Sequence, residues 1–459
     1  MTDRPLSKLT LDDVVRVPRP GLGVPTRWRF TPDGAALTYL HSERADLVQS
    51  LWERRIEGDE VRLLAGPSAA AADEASLSLE EALRRERLRM RALGVTDYHF
   101  ARRAEPPVLA VPSPEGVRVG VGPGELKLLA GTKGAQFARL SPDGKSLAFV
   151  REGELHVASP ITGVVTRLTE GAEQGLTHGL AEFIAQEELE RSDGFWWSGD
   201  SDYIAFEEAD SRHIPTFTIL HDDGRQQTSE THQYPFAGAE NARVRIGVVR
   251  PSAGDTKWLD PSVGGDGYLA DVCWRPDGAL VVSWLDRGQT TLTIRSFEPP
   301  DWEGALLFEE TIEPWLNLAH DIRFLSDGSF VRTSEHTGFR HIYLHDREGG
   351  ITKALTGGDW AVTSLIALDS ERRRVFFQAT KDSVLERHIY AVGLDGGEIR
   401  RLTQEPGWHT ATFDRQCRRF VDSFSSRAVA PITVLRSADD GQVERVLFEQ
   451  EDAGAESLG

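Results

Sequence analysis

Short runs of alternating apolar and polar residues recur along the chain, and many come in pairs joined by a Pro-Asp-Gly-type turn. Trp28-Arg-Phe-Thr-Pro-Asp-Gly34 leads into Ala-Ala-Leu-Thr-Tyr-Leu, and Phe137-Ala-Arg-Leu-Ser-Pro-Asp-Gly144 into Lys-Ser-Leu-Ala-Phe-Val. Later copies are Val272-Cys-Trp-Arg-Pro-Asp-Gly278 and Ile322-Arg-Phe-Leu-Ser-Asp-Gly328, with degenerate versions at Phe195-Trp-Trp-Ser-Gly-Asp200 and Ala411-Thr-Phe-Asp-Arg-Gln416. Pro presets φ at the first turn position, Asp tolerates the next, and Gly takes the left-handed conformation. With period-two alternation on either side, each unit predicts a β-hairpin with one face of each strand turned inward.

A second marker follows several hairpins: a polar strand ending in Leu-Thr or Leu-Leu, usually with Gly just after. It occurs at Arg62–Gly66, Lys127–Gly131, Arg167–Gly171, Lys353–Gly357 and Arg401–Thr403. Leu128 and Leu168 are 40 residues apart, and Leu355 and Leu402 are 47 apart. Four-stranded propeller blades have about that period. The pattern predicts an all-β chain forming one β-propeller over 1–459, with eight blades; seven is the alternative.

Two segments depart from this pattern. Residues 77–93 read as a helix, with a Ser78/Glu81 capping box, a Leu79/Leu83/Met90 stripe and Gly94 past its end. Residues 181–193 read as a shorter helix just before Trp196 and Trp197. Insertions in a repeat array often carry its binding function.

Composition narrows the chemistry. With 52 basic and 72 acidic residues the net charge is −20, so no basic surplus exists to neutralise a nucleic-acid backbone. A negative field favours cationic ligands. Only Cys273 and Cys417 are present, without zinc-ligand spacing, so neither a disulfide framework nor a structural metal is expected. No apolar run is long enough to span a membrane and no leader-like segment opens the chain, which predicts a cytoplasmic protein with no membrane partner. No Gly-x-Ser-x-Gly elbow, P-loop or His-Glu-x-x-His occurs, so no catalytic residue and no cofactor are assigned. His341 and His345 share one strand face but lack a completing ligand, and read as core or surface. Glu207 and Glu208 read as hairpin surface. Trp196 and Trp197 should alternate, one packing between blades and the other lining the channel.

The stretch Ala181-Glu-Phe-Ile-Ala-Gln-Glu-Glu-Leu-Glu-Arg-Ser-Asp-Gly-Phe-Trp-Trp-Ser198 resembles the double-glutamate segment of the dipeptidyl peptidase IV family, in which a Glu-Glu pair precedes a Trp-Trp strand. Leu9-Thr-Leu-Asp-Asp13, Tyr234–Val244, Ser334–Tyr343 and Phe420–Ser426 match in order, so the resemblance runs co-linearly over roughly residues 9–447. It implies an eight-bladed propeller that in family enzymes precedes an α/β-hydrolase domain carrying Ser, Asp and His. By the family's order that triad would lie beyond residue 459, so no hydrolase domain is expected in this chain.

The resemblance also implies a site. A peptide ammonium offers three N–H donors and a positive charge, which two carboxylates accept as charge-assisted bonds while rejecting acylated termini. The family's glutamate pair does this, and the matching positions are Glu187 and Glu188. Adjacent helical residues point about 100° apart, so both reach one amine only at an irregular helix end, for which Ser192-Asp193-Gly194 is the expected source. An arginine that holds the substrate's penultimate carbonyl would come from the basic helix, Arg85 first and Arg84 next, with Arg118 as a further alternative. The competing reading of that helix is a solvated face laced by i,i+4 ion pairs.

Together these imply the substrate-gating, amine-binding propeller of a dipeptidyl-peptidase-like serine peptidase, which releases X-Pro or X-Ala dipeptides when joined to an α/β-hydrolase domain or subunit. The alternative is a non-catalytic propeller that has lost its hydrolase and binds peptides or proteins; a truncated product is a third reading. A homodimer is compatible with either of the first two.

Overall fold

The protein is described from a computed structural model, which covers residues 11–12, 23–44, 46–68, 71, 85, 89–122, 124–222, 227–252, 254–260 and 264–450. Eight antiparallel blade sheets follow one another along the chain, and a separate two-stranded hairpin, Thr216–Asp222 with Gln227–Gln233, is inserted within the fourth. Blade one spans strands Thr26–Phe30 to Val61–Ala65, blade two His99–Phe100 to Lys127–Leu128, and blade three Gln136–Leu140 to Val165–Arg167. Blade four runs from Leu176–His178 to Lys257–Trp258, blade five from Tyr268–Trp274 to Glu303–Thr311, and blade six from Arg323–Phe324 to Ile351–Ala354. Val362–Asp369 to Arg400–Arg401 form blade seven, and Trp408–Phe413 to Val443–Glu449 form blade eight. The fold is the expected eight-bladed β-propeller.

Each blade is pressed between two neighbours, so its middle strands are buried on both faces. Ala36–His41 and Leu280–Leu285 are buried almost throughout rather than at every second position. The core is correspondingly divided, with one apolar cluster at each of the eight blade interfaces. The last of these joins Trp28, Leu37 and Tyr39 of blade one to Val421, Leu435 and Leu447 of blade eight and closes the ring. Among the described residues no strand is shared across this closure. Arg54 Nη1 donates to the Leu447 carbonyl at 2.8 Å, and Arg445 Nη1 donates to the Ile56 and Gly58 carbonyls at 3.0 and 2.6 Å.

The two sequence markers acquire physical roles. In the Pro-Asp-Gly turns, Asp33 accepts from Thr31 Oγ1 and Ala35 N, and Asp143 from Ser141 Oγ and Lys145 N. Asp200 accepts from Ser198 Oγ and Asp202 N in the degenerate copy. Partial burial opposes ionisation at these three carboxyls, but the donors outweigh it and hold each below its ordinary value. The Leu-Thr marker is an outer-strand pin. Thr169, Thr356 and Thr403 Oγ1 accept the backbone N–H groups of Leu155, Ile342 and Ile389 at 2.9, 2.8 and 3.1 Å. Each also bonds the preceding polar side chain, Glu154, His341 or His388, at a constant spacing of 15 residues. His341 and His345 are therefore core residues, and His345 stacks on Phe330. Both cysteines are free thiols, and burial pushes Cys417 up to about 12.

Of the segment 77–93, Arg85 lies at a helical position; most of the remainder, Arg84 included, is outside the described residues. Leu93–Gly94 pairs in parallel with Val48–Gln49 of blade one. Among the described residues no helix is long and apolar enough to cross a membrane.

Candidate functional site

Blade four differs from the others at its innermost strand, which is split in two. Leu176–His178 pairs with Glu208–Asp210, and Phe195–Trp197 pairs with Ile204–Phe206 of the same neighbouring strand. Between the halves the chain leaves the sheet and returns, forming helix α1, Phe183–Glu188. The N-cap Glu182 carboxylate accepts from Ile184 N and Ala185 N, both at 2.7 Å. Ala181, Ala185 and Leu189 bury one face of the insertion against Tyr268 and Leu318.

The helix stops immediately after the glutamate pair. Ala185 O accepts from Leu189 N at 3.2 Å and from Arg191 N at 3.1 Å, while Glu190 takes φ +53°. The chain thus leaves the helix through a left-handed residue just past its C-cap Leu189, with Glu where Gly is usual. The irregular end is thus at Glu190, not at Ser192-Asp193-Gly194, because the main chain turns left-handed at that point. Glu187 and Glu188 are exposed on the last turn. Three carboxylates, Glu187, Glu188 and Glu190, stand at the negative end of a helix with no basic residue in its last turn. A cation there offsets both the mutual repulsion and the helix dipole.

A cavity of about 540 Å³ opens beside Glu188 and Glu190. Its walls come from four blades and include Trp315, His320, Arg340 and Thr363. His320 is raised above its ordinary value by the Asp271 carboxylate, with smaller contributions from the Leu189 carbonyl and Glu190, and burial opposing. Its Nδ1 lies 3.9 Å from the Asp271 carboxylate of blade five.

The second acidic pair corrects an expectation. Glu207 and Glu208 lie inside a middle strand, not on a hairpin surface, and the Glu207 side chain is 0% exposed. Glu207 is ion-paired with Arg191 Nη1 and accepts from Glu182 N at 3.0 Å. Burial pushes its carboxyl up, against the pull of Arg191 and the Glu182 N–H. Glu208 faces the other way. Burial also opposes its ionisation, but His178 and Arg245 prevail and hold it at about 2. Arg191 additionally donates to Leu269 O at 3.0 Å and lies over the Trp196 ring, so it fixes the insertion to blade five. Trp196 and Trp197 both pack between blades, Trp196 toward blade five and Trp197 toward blade three, because the blade has a neighbour on each side.

Sequence reasoning missed Glu207, Arg191 and His320. Glu207 carried a signal, an acidic residue within the apolar strand Ile204–Asp210, which surface exposure explained too readily. Of the arginine candidates, Arg85 is buried and donates to Ala92 O at 3.0 Å, and Arg118 bridges blades two and one through Gly66 O at 3.1 Å.

Comparison with known proteins agrees with this architecture. Residues 121–431 match the family model described as the dipeptidyl peptidase IV (DPP IV) N-terminal region. Dipeptidyl peptidase 4 of Trichophyton tonsurans is 25% identical over 342 residues, covering 70% of this chain and 44% of its own length. Dipeptidyl peptidase 4 of Arthroderma otae is 24% identical over 342 residues, with the same coverage of 70% and 44%. The chain thus spans less than half the length of these curated relatives. The crystal structure of Porphyromonas gingivalis dipeptidyl peptidase 4 superposes with a TM-score of 0.77 at 22% identity, over 95% of this chain and 62% of that one. At that identity the superposition speaks for the fold alone. The family model covers well over half of the sequence, and the chain belongs to the dipeptidyl peptidase IV family through its N-terminal propeller region.

Proposed function

We propose that this propeller captures the free N-terminus of a peptide through Glu187 and Glu188 and screens what enters the cavity beside them. The observation that carries this reading is the placement of both carboxylates at the end of a helix on an insertion from an innermost strand, with Glu188 lining a four-blade cavity. An ammonium there gains charge-assisted hydrogen bonds and the helix dipole together, whereas an acylated nitrogen gains neither. The chemistry of release, with Pro or Ala second from the N-terminus, belongs to an α/β-hydrolase domain or subunit joined to this propeller.

Calorimetry with Gly-Pro dipeptide and its N-acetylated form tests the reading. Wild type should bind the free amine at least about tenfold more tightly, a difference of about 1.4 kcal/mol. Glu187→Gln together with Glu188→Gln should abolish the preference without lowering the melting temperature, since both side chains are exposed. Equal affinity of wild type for the two peptides would refute the amine site.

A further inference from the structure

We infer that Glu207 is the positioning residue of the amine site, holding Glu187 and Glu188 in place without touching a ligand. This rests on the amine-binding reading above. One residue makes the connections that hold both ends of the insertion to the strand it leaves. Its main chain closes the mouth: Gly179 N donates to Glu207 O and Glu207 N donates to Gly194 O, both at 2.7 Å. Gly179 and Gly194 are themselves joined, Gly194 N to Gly179 O at 2.9 Å. Its side chain fixes the interior. One carboxylate oxygen accepts the N–H of the N-cap Glu182, and the other receives the Arg191 guanidinium just beyond the left-handed Glu190.

The glutamate pair therefore lies between two points of the chain, 182 and 191, that are both tethered to one fully buried carboxylate. A helix this short has no intrinsic persistence in water, so its position depends on these tethers. The groups facing Glu207 are Arg191 and the Glu182 N–H, with Glu182's own carboxylate adding repulsion. The Glu187 and Glu188 carboxylates can converge on one ammonium only while the last turn keeps its geometry. A displacement of about 1 Å is enough to cost a large factor in a site of this kind.

A matched control exists in blade eight. Asp422 is likewise fully buried and paired with a guanidinium, Arg436 Nε at 2.8 Å, remote in sequence from the insertion. Three forms of the full chain would be compared, wild type, Glu207→Gln and Asp422→Asn, by amide hydrogen exchange and by calorimetry with Gly-Pro and N-acetyl-Gly-Pro. Glu207→Gln should speed exchange at the amides of residues 185–191 and reduce the free-amine preference at least about fivefold while far-ultraviolet circular dichroism stays unchanged. Asp422→Asn should lose melting temperature but keep both the preference and the protection of 185–191. Unchanged protection of 185–191 in folded Glu207→Gln overturns the inference, whatever the peptides do. So does an equal loss of preference in both variants, which would mark general destabilisation. A wild type that does not discriminate refutes the amine site instead, and the exchange result still decides whether Glu207 holds the insertion.

Discussion

Blades four and six solve the same problem, satisfying polar groups at a blade's edge, with different materials. In blade six Thr356 accepts the Ile342 N–H and bonds His341, whose other ring nitrogen meets the Gly358 carbonyl at 2.9 Å. In blade six this pin uses no carboxylate, and it recurs around His388 in blade seven and around Glu154 in blade three. Blade four opens its inner strand instead and fixes the resulting insertion with an ion pair buried to 0% and 7% exposure. Such a pair stabilises little over an apolar alternative but is costly to break. The difference teaches that the ordinary pin serves the fold, while the charged one holds a displaced segment in a defined place.

The comparison can be broken most severely at Arg191. Arg191→Met strands Glu207 without its counter-charge and should cost about 3–5 kcal/mol, read as a large drop in melting temperature. Glu208 supplies the next largest effect. Its carboxyl is held at about 2, below the ordinary value of 4.5, so it contributes stability above the ordinary carboxylate range and loses it as pH falls toward 2. Glu208→Gln should therefore cost about 2 kcal/mol at pH 7 and almost nothing near pH 2, checked by unfolding midpoints across that range. In blade six Thr356→Val leaves the Ile342 N–H without its acceptor, and about 1–2 kcal/mol should be lost, with no pH dependence in the acid range. A Thr356→Val variant as damaging as Arg191→Met would erase the distinction between the two blades. Glu190→Gly is the smallest change and opposite in sign. It relieves a left-handed φ of +53° and should raise stability by about 0.5–1 kcal/mol, visible as a higher melting temperature.

The fold was legible because the two markers cover the ring between them. Pro-Asp-Gly-type turns mark blades one, three, four, five, six and eight, and Leu-Thr or Leu-Leu strands mark one, two, three, six and seven. Neither marker alone counts eight. Blade two turns its first hairpin through Ala101–Pro107 and blade seven through Ser370–Arg373, segments without the Pro-Asp-Gly signal. Glu187 and Glu188 were legible only by resemblance, since a Glu-Glu pair on a polar helix is otherwise an ordinary solvated face. Glu207 was hidden for a different reason. Its partner Arg191 is 16 residues away and reaches it only because the inner strand is interrupted, a non-local event that alternation cannot express. The left-handed helix ending escaped because Glu190 occupies a position where glycine would have announced it.

The seam between blades one and eight bears on how this ring is made. Every blade is complete within a contiguous stretch of chain, so seven of the eight interfaces can form in order as successive blades appear, each with short loops to close. The eighth joins residues almost 400 positions apart, Arg54 to Leu447, and must wait for the last blade. Until then blade one presents Trp28, Leu37 and Tyr39 uncovered, a sticky edge for as long as synthesis lasts. Arginines reaching backbone carbonyls suit a joint that is made last, because long side chains tolerate small errors in how the accumulated blade angles sum.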